Sequence, residues 1–529
     1  MKKPFILLAL LIAASMTLTG GTPSRASGLL FREDANFKGL ISAAEYYEKA
    51  NRPAEAAHYY RLAIKRAAND AERAQAHLGV AKYTPIRYSH TAEKDFGVDK
   101  IAAYQNVVTL PDAPATAKIE AYFGKAEVQA ATTQYDAALT SLKALAEIPE
   151  ATPEQKRKAL LWRGEILVQA KRYDEARTTL ADLIKAPDAK FEENLAAHQA
   201  IARSHLRQVN FTDALAEIAR INALPGPTDE QRADIHIANG TMLAEAGHHK
   251  AARDEYAKVA VLADATVEKN FVARYKIGES YFNEKNYLSA REAWTQAVEL
   301  RGAEKHAADV WKAIGIANVF EKNYEKAREA YQKWLAVPTL DFKGKVLAWQ
   351  HIAASYTEEK KYAEAREALG NISKLAPANA TFWDNLQFKL RQEFDIADVY
   401  RTEGDFTRAG ETYVAILQDV PVSTTLQPPF YNEAREQVQK AAGALAKDKA
   451  SMTAAYTVYE ALEKVYPYAK QDAEAFLGMG DILLAQGKPA EAKEKYQKAL
   501  ELRKTYDEGK LAQEKISKIE AQEKAPGAP

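Results

Sequence analysis

The side chains suited to proton transfer or metal ligation in this chain are ten histidines and 72 aspartates and glutamates, and cysteine is absent. Without cysteine there is no disulfide, no thiolate metal site and no thiol nucleophile. The histidines are scattered, with one adjacent pair, His248-His249. That pair stands where recurring segments elsewhere carry Asn-Tyr or Arg-Tyr, so it reads as a replacement for an aromatic rather than a metal site. The sequence holds no His-Glu-x-x-His zinc pattern, no Gly-x-Ser-x-Gly elbow and no Gly-rich phosphate loop ending in Gly-Lys-Ser/Thr. The carboxylates are spread over helical surfaces as solvating faces and i,i+4 partners, and no catalytic pair stands out among them. The sequence therefore points to no catalytic residue, no metal and no cofactor, and reads as a non-enzyme. Aromatics make up 9% of the chain, and the tyrosines fall at recurring positions that favour core packing over base stacking or sugar binding.

The elements that position these residues recur. The segment NEKNYLSAREAWTQAVEL from Asn283 returns as FEKNYEKAREAYQKWLAVP from Phe320, with looser copies from Gln169, Arg207, Glu358, Thr402 and Ala485. Aligned on the opening aromatic, the copies start at Tyr135, Tyr173, Phe211, His249, Tyr287, Tyr324 and Tyr362, in steps of 38 apart from one of 37. A fixed step of this size is the mark of a solenoid. Ala290, Trp294 and Ala297 are spaced i, i+4, i+7 and share a helical face. Small residues there, with Gly278 on the partner helix, predict closely approaching backbones and an aromatic that fills the space toward the next hairpin. Gly and Pro recurring at fixed phase argue against one long bundle or coiled coil.

The pattern resembles the tetratricopeptide repeat. Gly278 and Tyr281 take its first-helix positions, and Tyr287, Ala290, Trp294 and Ala297 its second-helix positions. Trp311, Gly315, Tyr324, Ala327, Tyr331, Trp334 and Pro338 follow in the next unit. The resemblance implies an all-α fold, a right-handed superhelical α-solenoid of about twelve hairpins over 29–510. The step of 38 against the family's ~34 corresponds to roughly one more helical turn per hairpin. A degenerate unit carries an insert at 84–97, longer connections fall near 374–384 and 421–430, and 511–529 reads as a charged capping helix from Leu511 followed by a tail.

For function, the resemblance implies a binding groove lined by first helices, and hence protein or peptide partners. Its candidate residues are Arg203, Arg207, Tyr275, Glu279, Phe282, Asn283, Lys312, Gln350, Arg391, Asp398 and Arg401. The family's Lys and Asn clamp for a terminal carboxylate is not supported, because Ile316 follows Lys312 at the Asn position. Lys plus Arg (72) equals Asp plus Glu (72), so no net field favours nucleic acid. Lys2 and Lys3, an apolar run from Phe5 to Ala14 and small residues to Gly28 read as a bacterial signal peptide, cut after Ala26. Gly21 stands where a lipoprotein box needs cysteine, so lipidation is not expected, and no later stretch is long enough to span a bilayer. The expectation is an exported scaffold, periplasmic or extracellular and soluble after cleavage, serving an envelope or secretion assembly. The alternative is an exported glycan-binding protein on the same framework. Partner identity and oligomeric state are not legible.

Overall fold

In the computed structural model the described residues are 33–84, 97–375, 382–419, 429–465 and 469–523. The leader expected at 1–26, most of the insert at 84–97 and parts of the connections near 374–384 and 421–430 lie outside them. The described residues form 25 α-helices and three short 3-10 turns, with no strand among them. No helix among them is long and apolar enough to cross a membrane.

Contacts divide the chain into two compact units, Met1–Pro227 and Thr228–Pro529. The first unit holds five hairpins, from Phe37–Lys49 with Pro53–Ile64 to Phe191–Arg207 with Phe211–Asn222. The second holds seven, from Asp229–Glu245 with His249–Lys258 to Ala469–Ala485 with Pro489–Arg503, and closes with helix Asp507–Glu523. Each unit is an all-α solenoid. The closing helix, expected from Leu511, opens earlier, with Asp507 and Glu508 in its first turn, where carboxylates favour the positive end of the helix dipole. His249 opens its helix at the repeat's aromatic position.

In four hairpins a ring of the second helix lies on a glycine of the first, whereas Tyr60, Tyr104 and Tyr459 lie on Gly79, Gly124 and Gly478 of the following hairpin. A Cβ built on Gly278 would come within 2.3 Å of Trp294, and one on Gly315 within 2.2 Å of Tyr331. Trp294 was expected to fill space toward the next hairpin; it instead covers its own hairpin's glycine, and its Nε1 donates to the Tyr275 carbonyl at 3.0 Å. The indole N–H needs an acceptor when buried, and the first helix supplies one.

Between the two helices of most hairpins the chain turns in two or three residues, one of them left-handed. Thr133, Lys171, Val209, Lys285, Lys322 and Lys360 all have φ between 60° and 63°, whereas Gly247, Gly404 and Gly487 fill the same place elsewhere. The geometry is a Schellman closure, as in the Asn210 N–H bond to the His205 carbonyl at 2.9 Å. A β-branched residue is strained there, and Val209 is 83% exposed, so its side chain gains nothing from packing. Val209→Gly should therefore stabilise the first unit by about 1 kcal/mol. Urea unfolding followed by Trp162 fluorescence checks this, and an unchanged or lower midpoint would refute the strain.

Successive hairpins are tied by an arginine four residues into the second helix. Arg253 Nη1 donates to Ser280 Oγ (3.0 Å) and Glu284 Oε2 (2.6 Å), with its guanidinium 4.0 Å from the Tyr281 ring centroid. Arg328 repeats this with Ser355 (3.3 Å), Glu359 (2.5 Å) and the Tyr356 ring (4.1 Å). Arg366 does so with Glu403 (2.5 Å) and Tyr400 (4.2 Å). The planar guanidinium can stack and pair at once, which lysine could not do as well. Two hairpins carry an additional internal pairing. In one, buried Glu217 accepts from His198 and Arg220. In the other, His236 lies 2.9 Å and Lys258 2.5 Å from Glu255.

Candidate functional site

Two clefts on the first-helix side of the second unit flank one helix, Phe382–Glu403. A cleft of about 620 Å³ separates it from Pro429–Leu445, with Leu390, Phe394, Ala434, Ala441 and Ala444 as apolar lining. Its polar side chains are Gln387, Arg391, Asp395, Asp398, Arg401, Tyr413, Glu433, Gln437 and Lys440. A smaller cleft of about 230 Å³ lies against Phe342–Glu358, lined by Gln350, Ala353, Ala354, Thr357, Glu358 and Thr402. Asp395 and Asp398 line both clefts, so their helix is the ridge between them. Alanines at 353, 354, 441 and 444 keep the flanking helices low beside that ridge.

The ridge is held from both sides. Gln350 Nε2 donates to Asp395 Oδ2 at 2.6 Å. Burial pushes the Asp395 carboxyl above its ordinary range, against the opposing pull of Gln350 and Arg391. Tyr413, the ring of the repeat in helix Phe406–Asp419, donates its hydroxyl to Asp398 Oδ1 at 3.0 Å, and Arg401 Nε donates to the same oxygen at 3.2 Å. Burial and the Asp398 carboxylate together raise the Tyr413 phenol. The final hairpin builds the same contact, Tyr496 to Asp481 at 2.6 Å, so this Asp–Tyr bond belongs to the packing of the repeat. Chemically, the site offers an apolar floor with charged walls; it is suited to holding a side chain, and nothing in its geometry pairs a base with a nucleophile.

Four residues picked from the sequence meet here: Arg391, Asp398 and Arg401 line the larger cleft, and Gln350 the smaller. The others lie elsewhere. Lys312, two hairpins earlier, has its ammonium 5.7 Å from the Trp334 ring. Tyr275 stacks on Phe271 with centroids 5.8 Å apart, and burial pushes its phenol up to about 12. Phe282 packs against Tyr287 (5.3 Å) and Phe320 (5.4 Å). Glu279 sits 3.5 Å from Lys276 on its own helix, and Asn283 is exposed at that helix's end. In the first unit, Arg203 lies 4.0 Å from Glu165 of the preceding first helix, and Arg207 is exposed. Asp395, Tyr413 and Lys440 were not picked. Lys440 was findable, since it stands twelve residues before Met452, as Gln350 does before Tyr362 and Lys312 before Tyr324.

Family models described as tetratricopeptide repeat match residues 123–190, 275–340 and 473–506. A search of curated proteins found no match. Among solved structures, yeast Tom70 is similar at 12% identity, covering 93% of this chain and 97% of that one at a TM-score of 0.27. The apo form of RapI is similar at 13% identity, over 68% and 98% of the two chains, with a TM-score of 0.35. The C-terminal part of a repeat-containing protein from Cytophaga hutchinsonii is similar at 16% identity, over 50% and 96%, with a TM-score of 0.32.

Proposed function

The chain is a tetratricopeptide-repeat protein, and from that premise we propose that it is an exported scaffold gripping protein partners on the first-helix face of its second unit. Stacked repeats of this kind present an extended face for protein partners. The observation that carries the proposal is the pair of clefts on either side of Phe382–Glu403, lined by side chains from three successive first helices. Such a face suits an extended segment or a helix, because apolar anchors can enter the clefts while polar side chains set register. Export rests on the lysine-led apolar start of the sequence.

The test is to fill the clefts. Ala354 and Ala444 are exposed, so Ala354→Trp and Ala444→Trp leave the packing intact while blocking entry. Capture of partners from envelope extract by the full chain should fall about tenfold or more with the double variant. Undiminished capture would remove the clefts from the function. Binding of polysaccharides but not proteins in the same assay would favour the glycan reading.

A further inference from the structure

The two clefts differ in charge. The smaller is lined by three carboxylates, Glu358, Asp395 and Asp398, and by no basic side chain. The larger holds Arg391, Arg401 and Lys440. Arg401 is turned to Asp398 at 3.2 Å, whereas Arg391 draws on Asp395 without a hydrogen bond or close ion pair among the described residues, and Lys440 has no ion-pair or hydrogen-bond partner among them. An exposed charge without a partner costs little in water, but it is the cheapest group to pair when a ligand arrives, because no existing bond must break first. Of the acidic groups in the larger cleft, Asp395 and Asp398 are already engaged, and among the described residues Glu433 is met only by Gln437 at 3.5 Å. Because Asp395 and Asp398 line both clefts, what sets the clefts apart is Glu358, beside Tyr324, on one side of the ridge, and Arg391 and Lys440 against Glu433 on the other.

Resting on the scaffold reading above, we propose that this face takes a protein segment carrying both a cation and an anion, the cation entering the cleft before Phe382–Glu403 and the anion the cleft after it. The ridge is one helix wide, so the two charges stand about 8–10 Å apart, which an extended chain spans in roughly three residues. Leu390 and Phe394 take an apolar side chain beside the anion. Asp395 supplies a further reason for a cation in the smaller cleft: burial disfavours its charge, and an arriving ammonium or guanidinium restores it. A segment of uniform charge meets one complementary cleft and one repulsive cleft, so the arrangement selects against it.

Fluorescence anisotropy of the full chain with three labelled peptides tests this. All three share one alanine, leucine and serine background; one carries Lys and Glu three residues apart, one two lysines and one two glutamates. The mixed peptide should bind about tenfold tighter than either other, and its affinity should fall with salt. Arg391→Glu with Lys440→Glu should move the preference to the two-lysine peptide, and Glu358→Lys to the two-glutamate peptide. These positions are exposed, and an unchanged circular dichroism melt shows that the variants fold. Equal binding of the three peptides, no saturable binding of any, or a preference unmoved by the charge reversals would overturn the proposal. If the tryptophan block abolishes partner capture while the three peptides bind alike, the scaffold reading stands and this one falls. If the block leaves capture intact, the scaffold reading fails first.

Discussion

Replacing Tyr331 by alanine should destabilise the second unit by about 3–5 kcal/mol, the usual range for deleting a fully buried aromatic ring. The ring is 1% exposed, lies on Gly315 and stacks with His351 at 5.1 Å. Its removal leaves a void walled by the backbone at Gly315 and the rings of His351 and Trp334, which are held in packing and fill it only in part. The reverse substitution, Gly315→Ala, overpacks the same contact and should cost about 1–3 kcal/mol. The two are not independent. Once Tyr331→Ala has emptied the space, the Gly315→Ala methyl has room, and its cost should vanish or change sign. Urea unfolding followed by tryptophan fluorescence gives the four stabilities of this cycle. Additive effects would mean that the ring and the glycine are not each other's constraint.

Removing the carboxylate of Glu217 is the second large effect expected. Burial alone pushes that carboxyl up, but hydrogen bonds from His198 and Arg220 together hold it below the ordinary carboxylate range. Glu217→Leu leaves His198 buried without its partner and should cost the first unit about 3 kcal/mol. The sign with pH follows from the depressed value. Charged Glu217 contributes stability that is complete above the pKa of an unfolded glutamate and is lost as pH falls through the lower folded pKa. Burial raises and pairing lowers Glu255 in the same way, with a net depression through His236 and Lys258, so the second unit shares this acid limb. Glu217→Gln should flatten the acid loss of the first unit, reported by Trp162, and Glu255→Gln that of the second. A first unit that loses stability in parallel with wild type below the carboxylate range would show that another group sets the limb.

How much of this was legible depended on whether a residue shows in the repeat pattern itself. Tyr287, Ala290, Trp294 and Ala297 announce themselves because they recur and share a face, and the helices fall where that recurrence puts them. The arginine ties recur just as regularly, as Arg253, Arg291, Arg328 and Arg366, yet on a helical wheel they look like solvated surface. Their role shows only when the following first helix brings a glutamate over them, and for Arg253, Arg328 and Arg366 a tyrosine ring as well. The His198–Glu217 and His236–Glu255 pairs were hidden for a similar reason, since a helical pattern does not say which carboxylate is roofed by the partner helix. In the candidate site, Arg391, Asp398 and Arg401 were reachable from repeat position. Asp395 was not, and Tyr413, though at the repeat's ring position, gave no sign of it, because periodicity does not encode where helices 382–403 and 429–445 leave a cleft between them.

The hairpins of the second unit also have a mechanical meaning. Three of its junctions, those of Arg253, Arg328 and Arg366, each set an arginine on a ring of the next hairpin, and strands linking distant parts of the chain are absent among its described residues. A pull along this stretch is borne by one junction at a time rather than shared across a sheet, and each hairpin that lets go pays out roughly 3.3–3.6 Å of slack per residue. Such an array yields by peeling from its end, leaving the hairpins behind the break still folded and still able to grip.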